Sequence, residues 1–379
     1  MIAFFLGSHP ELSLAELRLV FNKKELKRWL GIALFDIEKE EVSKQFFALG
    51  GTPRYGTVIA ELDDKNGIEN ELLEQLKAPL LSEKRKEYIL SLFGVHVNKR
   101  QFHHDLKLQL AGVKYDGKFE EAQHSPAVSA HVLKRGGHEF SAIAHDKKVY
   151  LIKTEQVQDA QFWSIVDAER PSRDMKIGML PAKLARMMIN LSGVTVEGKI
   201  WDPFVGQATI AMQGAILGIP VLGTDKARDS IEKAKQNMSW LVKKGLVSQA
   251  KHWLYPESIE KAKPDYDITG IVTEPFLGKP HFKPFSSEFL AKKEWQIINR
   301  LYGTLLQIAS RSLRKGQRLV FVKPVFAFLA NNGGRWYNPP LSASSEAWKV
   351  PELLKDLGSL LWVQRDNVVG REIIILEKR

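Results

Sequence analysis

At 379 residues the chain exceeds one ordinary domain and has room for two or three separate cores. Its 44% hydrophobic and 26% charged composition excludes a disordered chain. The absence of cysteine excludes disulfides, thiolate metal sites and cysteine nucleophiles. The formal charge is +11 and uneven: residues 1–150 hold 22 Lys+Arg against 21 Asp+Glu, whereas 301–350 hold seven basic residues against Glu346 alone. Such an excess suits a polyanion, with a solvated basic surface as the alternative.

The opening "MIAFFLG" is short and has no positive flank, so it reads as a first strand rather than an export signal. No apolar run reaches the ~18–20 residues that span a bilayer; no membrane partner and a cytoplasmic location are expected. In "HPELSLAELRLVF", Pro10 and Glu11 suit a helix's first turn, and Leu12, Leu14, Leu17 and Val20 form an apolar stripe. Strands are predicted in "GIALFDIE", at 57–62 after the turn signals of "LGGTPRYG", in "EYILSLFGVHVN" and in "KKVYLIKTEQ". Helical spacing marks 101–111 and 127–134. This half is expected to be α+β, as two small units at 1–50 and 51–155.

The rhythm then changes. "PAKLARMMINL" starts with Pro181 and repeats apolar residues at 184, 187, 188 and 191. The apolar runs "GKIWDPF", "PVLGTDK", "ITGIVTEPF", "RLVFVKPVF" and "REIIILEK" follow. Several are separated by helical segments, among them "SIEKAKQNMSWLVKKG" and the long "EFLAKKEWQIINRLYGTLLQIASRSLRKG". Strands alternating with helices predict a mostly parallel sheet covered on both faces over 181–379, with 156–180 as a linker.

Such a sheet binds ligands beyond the carboxyl ends of its strands. The first strand ends in "DPFVGQATIA", with Gly206 in the turn and Thr209 at the next helix's start. Asp225 closes the second strand, where a carboxylate can accept hydrogen bonds from ribose hydroxyls. The absence of GxGxxG disfavours a pyrophosphate-bearing dinucleotide.

"DPFVGQAT" resembles the opening motif of class I methyltransferases that modify RNA bases. "GMLPAKLARMMINL", "LGGTPRYGTVI", "FGVHVN" and "IKTEQVQDAQFWSIVDAERPSRD" resemble tRNA methyltransferases carrying a THUMP domain. The similarity covers most of the chain and is closest to the enzymes that methylate N2 of guanine at position ten of tRNA. It implies a Rossmann-like methyltransferase domain, an α/β fold, at 181–379. Ahead of it stand a ferredoxin-like α+β unit at 1–50 and a THUMP-like RNA-binding domain at 51–155. It also implies S-adenosylmethionine as cofactor, held by Asp202, Pro203, Phe204, Gly206, Thr209, Asp225 and Glu257, and tRNA as partner. Two departures stand out. Ala208 replaces a motif glycine, and Glu257 is the nearest acid where an Asp contacts the adenine amine.

The reaction end is "TEPFLGK", 273–279. The family places a D/N-P-P-aromatic loop after its fourth strand. The first residue and a backbone carbonyl accept the amino group's hydrogen bonds, and the ring stacks on the base. Aligned on Gly278, this chain puts Glu274 at the acid, Pro275 at the first proline, Phe276 at the second and Leu277 at the aromatic. Catalytic roles are expected for Glu274, Pro275 and Phe276. Glutamate's extra methylene moves the carboxylate by about one C–C bond, and a ~1 Å misplacement can cost ~100-fold in rate. "YNPPL" at 337–341 contains Asn-Pro-Pro but follows the fifth strand and reads as a loop that touches RNA through Trp336 or Tyr337. Arg170, Arg173, Lys183, Arg186 and Lys279 are predicted phosphate contacts, giving salt-sensitive binding. The ten histidines show no ligand spacing, so no metal is expected; a monomer is favoured. The alternatives are an inactive tRNA-binding homologue and an adenine-N6 nucleic-acid methyltransferase.

Overall fold

A computed structural model describes the chain except residues 30, 66, 82–86, 112–117, 121–125, 174–178, 264–266, 331–332, 342–345 and 365–366. Contacts divide it into two units that chain order does not keep apart. One takes Met1–Gly7, Lys24–Phe47 and Thr52–Gln161; the other takes Ser8–Lys23, Ala48–Gly51 and Phe162–Arg379.

The first elements are β1 (Ile2–Phe5), α1 (Pro10–Val20), β2 (Lys27–Trp29), β3 (Ile32–Phe35), α2 (Lys39–Gln45) and β4 (Arg54–Asp63). They are followed by α3 (Ile68–Leu81), β5 (Glu87–Phe93), α4 (Lys99–Ala111), β6 (Lys118–Glu120), α5 (Pro126–Lys134), β7 (His138–His145) and β8 (Lys148–Val157). The eight strands form one sheet in the order β2-β3-β1-β4-β8-β7-β5-β6. Leu72, Leu73 and Leu76 of α3 and Phe102 and Leu106 of α4 pack with Phe140, Ala142, Val149 and Leu151. Residues 1–50 and 51–155 therefore do not hold separate sheets: β1 pairs directly with β4, Ile2 opposite Thr57.

In the second unit, α6 (Ala160–Ala168) and α7 (Ala182–Ser192) lead into β9 (Ile200–Asp202), α8 (Thr209–Ile216), β10 (Val221–Thr224), α9 (Arg228–Lys243) and β11 (His252–Tyr255). Then come β12 (Gly270–Thr273), α10 (Glu288–Ser312), β13 (Arg318–Ala330), β14 (Gly333–Tyr337), β15 (Trp348–Lys349), β16 (Leu361–Trp362) and β17 (Val369–Lys378). The sheet order is β11-β10-β9-β12-β13-β17-β15, with β14 on β13 and β16 on β17. Strands β11 through β13 are mutually parallel, and β17 is antiparallel to β13. Both faces are covered. Leu184 and Met188 of α7, Met212 of α8 and Leu241 of α9 fill one core; Ala291, Trp295, Ile298, Tyr302 and Leu305 of α10 fill the other with Trp201, Ile271 and Phe321.

Two details depart from the sequence expectation. The stretch 156–180 is not a bare linker, because α6 lies within it and Trp163 and Val166 are buried in the second unit's core. Helix α1 and Gly50–Gly51 also belong to that unit. The buried Glu16 carboxylate accepts the Gly50 and Gly51 N–H groups, both at 2.8 Å, and the Asn190 amide at 2.6 Å. A Cβ at Gly50 would lie 2.5 Å from the Lys183 carbonyl, so only glycine permits this approach.

Candidate active site

Strands β9 and β12 lie side by side, but the chain leaves β9 toward β10 on one flank and β12 toward β13 on the other. This reversal opens a crevice at their carboxyl ends. A cavity of about 210 Å³ occupies it, lined by Met179, Leu180, Asp202, Phe204, Gly206, Thr209, Ser230 and Glu274 among others. Four of the seven predicted cofactor residues, Asp202, Phe204, Gly206 and Thr209, thus share one cavity with Glu274. Asp225 stands one step behind it: its carboxylate accepts the Gly206 N–H at 3.1 Å and the Ala227 N–H at 2.9 Å, fixing the turn that forms the cavity wall. Pro203 and Glu257 stand outside the lining. Ala208 adopts φ +69°, a conformation costing a non-glycine residue roughly 1–2 kcal/mol. Its methyl packs in the hydrophobic core rather than toward the cavity.

The two carboxylates in the lining have different partners. Asp202 is buried; it accepts the Thr273 hydroxyl at 2.6 Å and the Phe204 N–H at 3.2 Å. Burial, with added repulsion from Asp225 and Glu274, pushes it up to about 7, although both hydrogen bonds pull the other way. Glu274 follows β12 and is bound by the Arg371 guanidinium, Nε to Oε1 2.6 Å. Arg371 also donates to the Met179 carbonyl at 3.3 Å, tying together two segments that line the cavity. Sequence reasoning missed Arg371. Its signal was a lone arginine entering the apolar run "GREIIIL", a costly position unless a partner waits inside.

Beyond Glu274, Pro275 is buried while the Phe276 ring is 51% exposed, and the Phe276 carbonyl accepts the Tyr302 hydroxyl at 3.3 Å. Burial, then the Glu274 charge, holds Tyr302 well above its ordinary pKa, so it serves as a neutral donor. Leu277, aligned with the family's aromatic, packs against the core instead. At Gly278, φ is +102°, and a Cβ would come 2.8 Å from the Glu294 carboxylate. The Asn-Pro-Pro of 338–340 has a structural duty. Buried Lys323 donates to Asn338 Oδ1 and to the Pro339 carbonyl, and pairs with Glu372 at 2.7 Å.

The predicted phosphate contacts separate into two groups. Arg173 and Lys279 are exposed. Arg170 and Arg186 are not: they are 2% and 1% accessible, the opposite of what a surface phosphate contact needs. Arg170 donates to Thr209 Oγ1 at 2.7 Å and buttresses the cavity wall. Arg186 donates to Gln213 at 2.9 Å and stacks over Trp163 at 4.4 Å; burial lowers it to about 10. Lys183 is half-buried, 5.2 Å from the Trp163 ring centre, and burial lowers its pKa too. Helix α7 is enclosed on nearly all sides, so its cations satisfy the interior. Among the described residues no cluster of three His, Asp or Glu could hold a metal, and no helix is long and apolar enough to cross a membrane.

Residues 170–325 match the UPF0020 family, described as RMKL-like, methyltransferase domain. The chain is 31% identical over 130 residues to a tRNA (guanine(10)-N2)-dimethyltransferase of Pyrococcus abyssi, covering 34% of this chain and 38% of that protein. It is 26% identical over 147 residues to the Methanothermobacter thermautotrophicus protein of the same name, covering 39% of each. The chain therefore spans about two fifths of the length of these curated relatives. The crystal structure of TrmN from Thermus thermophilus aligns with 100% of this chain and 99% of its own, with a TM-score of 0.50 and 16% identity, a likeness of fold. The crevice sits inside the matched segment, which is similar to the methyltransferase domain of RMKL-like proteins.

Proposed function

We propose that the protein is an S-adenosylmethionine-dependent tRNA methyltransferase acting on the exocyclic N2 of guanine, at position ten. One observation carries this reading: a single cavity is lined both by the strand-end residues suited to a nucleoside cofactor and by Glu274. Asp202, Phe204, Gly206 and Thr209 would hold the cofactor, with Asp225 fixing the turn beside it. S-adenosylmethionine supplies an electrophilic methyl group. With the cofactor held there, that methyl group would pass to the amino nitrogen of the base, which would release a proton to solvent.

Arg371 holds Oε1 of Glu274, and the carboxylate would accept an amino N–H through Oε2. The family's backbone acceptor would fall at Pro275, and the exposed Phe276 ring would stack on the base. Guanine N2 is a weak nucleophile, so the contribution of these residues is orientation. The relatives' names and the local basic excess favour tRNA over other nucleic acids.

The test is mass spectrometry of nucleosides from unmodified tRNA incubated with the protein and labelled S-adenosylmethionine. Methylated N2-guanosine is expected, and Glu274→Ala should lose at least about 100-fold in rate. N6-methyladenosine would assign the adenine alternative. No product despite tRNA binding would assign an inactive homologue.

A further inference from the structure

We propose that the surface beside Glu274, built from residues 276–285, the first turns of α10 and β14, binds unstacked nucleotides flanking the target base. It rests on the reading that the substrate is RNA. Phe282 is 85% exposed, Phe289 63% and Phe276 51%. Several large rings left in water on neighbouring segments point to a binding region.

The loop that carries Phe276 and Phe282 is anchored. The Lys279 N–H donates to Glu294 at 3.1 Å, and the His281 ring packs on Phe285 at 4.4 Å. Phe285 is bonded through its backbone to Ala327 at 2.9 Å and Leu329 at 2.8 Å. Phe282 therefore projects from a fixed loop lying along the start of α10.

Cations are interleaved with the rings. Lys293 lies 4.7 Å from the Phe289 ring centre, and Lys292 lies 5.7 Å from that of Tyr337. Exposed Lys283 adjoins Phe282, and exposed Arg335 is two residues from Tyr337 on the same side of β14; Trp336 points to the other. The nearby acids are engaged, Glu288 with Lys292 at 2.7 Å and Glu294 with the Lys279 N–H. The surface is left net positive. Cores of protein–protein interfaces are depleted in lysine, whereas single-stranded nucleic acid sites combine cations for the backbone with rings for the bases. The observations favour RNA. Position agrees: a base drawn from its stack leaves unstacked neighbours, and Phe276 is two residues from Glu274.

The experiment measures binding of an unmodified tRNA transcript by fluorescence anisotropy over a salt series, for the parent, Phe282→Ala/Phe289→Ala, Phe282→Trp and Lys292→Ala/Lys293→Ala. Calorimetry with S-adenosylhomocysteine reports whether each cofactor cavity is intact. The double phenylalanine variant should lose at least about tenfold in tRNA affinity with the salt slope unchanged. Phe282→Trp should bind like the parent, and the lysine variant should show a shallower slope. If the double variant has lost the calorimetric signal, Phe282→Ala alone decides, because that ring is almost free of the fold. Parent-like tRNA binding by the phenylalanine variant overturns the proposal and leaves the reading above standing. A parent that self-associates where this variant does not assigns the face to protein contacts instead. Absence of tRNA binding by the parent overturns the reading above as well.

Discussion

Arg371 answers the difficulty posed by a glutamate where the family's pattern has a shorter side chain. With Nε 2.6 Å from Oε1, the guanidinium fixes one oxygen of the longer carboxylate on a residue that lines the cavity. Removing it should misplace Glu274 by an ångström-scale shift. Arg371→Gln is therefore expected to lower single-turnover methyl transfer by about 100-fold while S-adenosylhomocysteine affinity, measured by calorimetry, changes far less. Asp202 poses the opposite case, a buried carboxylate with only neutral donors. At about 7 folded against 3.8 ordinarily, it keeps its proton in the native state between roughly pH 4 and 7, where the unfolded chain has lost it. The native state then binds more protons, so the ligand-free protein should lose stability as pH rises through that window, by at most about 4 kcal/mol. Asp202→Asn should flatten this slope, seen as urea midpoints that differ less between pH 5 and 8. The strand-end positions of Asp202, Gly206 and Thr209, which line the cavity, were legible from local pattern, whereas Glu274 was singled out through the resemblance of its loop. Arg371 was not, since its nearness to Glu274 depends on the register that sets it opposite Pro324.

Elements with strong periodicity were legible, including α1, α7, α9 and the 25-residue α10. Strand β7, "HEFSAIAH", passed unread. Its first six residues are buried without alternation, so the two-residue period that marks a half-exposed strand is missing. Helix α1 teaches a different lesson. Its stripe predicts a helix, but nothing in the stripe says that it packs in the second unit while β1 stays in the first. The deciding residue is Glu16, an acid inside an apolar face, whose carboxylate gathers three N–H groups from Gly50, Gly51 and Asn190. Glu16→Ala strands those donors, and at about 1–3 kcal/mol for each unsatisfied group the loss should reach at least about 3 kcal/mol. A denaturant titration followed by tryptophan fluorescence checks it.

At the scale of the whole molecule, net charge promised a polyanion but could not say which cations meet it. Burial separates them. Arg170 and Arg186 serve the interior of the second unit, through Thr209 and Gln213, whereas Arg173 and Lys279 face solvent. Counterion release distinguishes the two groups in solution, because only a cation that meets phosphate lowers the dependence of log K on log salt when it is removed. Arg173→Ala/Lys279→Ala should therefore flatten that dependence for tRNA by between about 1 and 2, with the unfolding midpoint unchanged. Arg186→Ala should do the reverse. It leaves Gln213 without its donor and the Trp163 face uncovered, so stability falls while the salt slope of the folded protein stays that of the parent. A parent-like slope in the first variant would place the RNA path elsewhere on the basic surface. A flattened slope in Arg186→Ala would mean that helix α7 opens toward the substrate on binding.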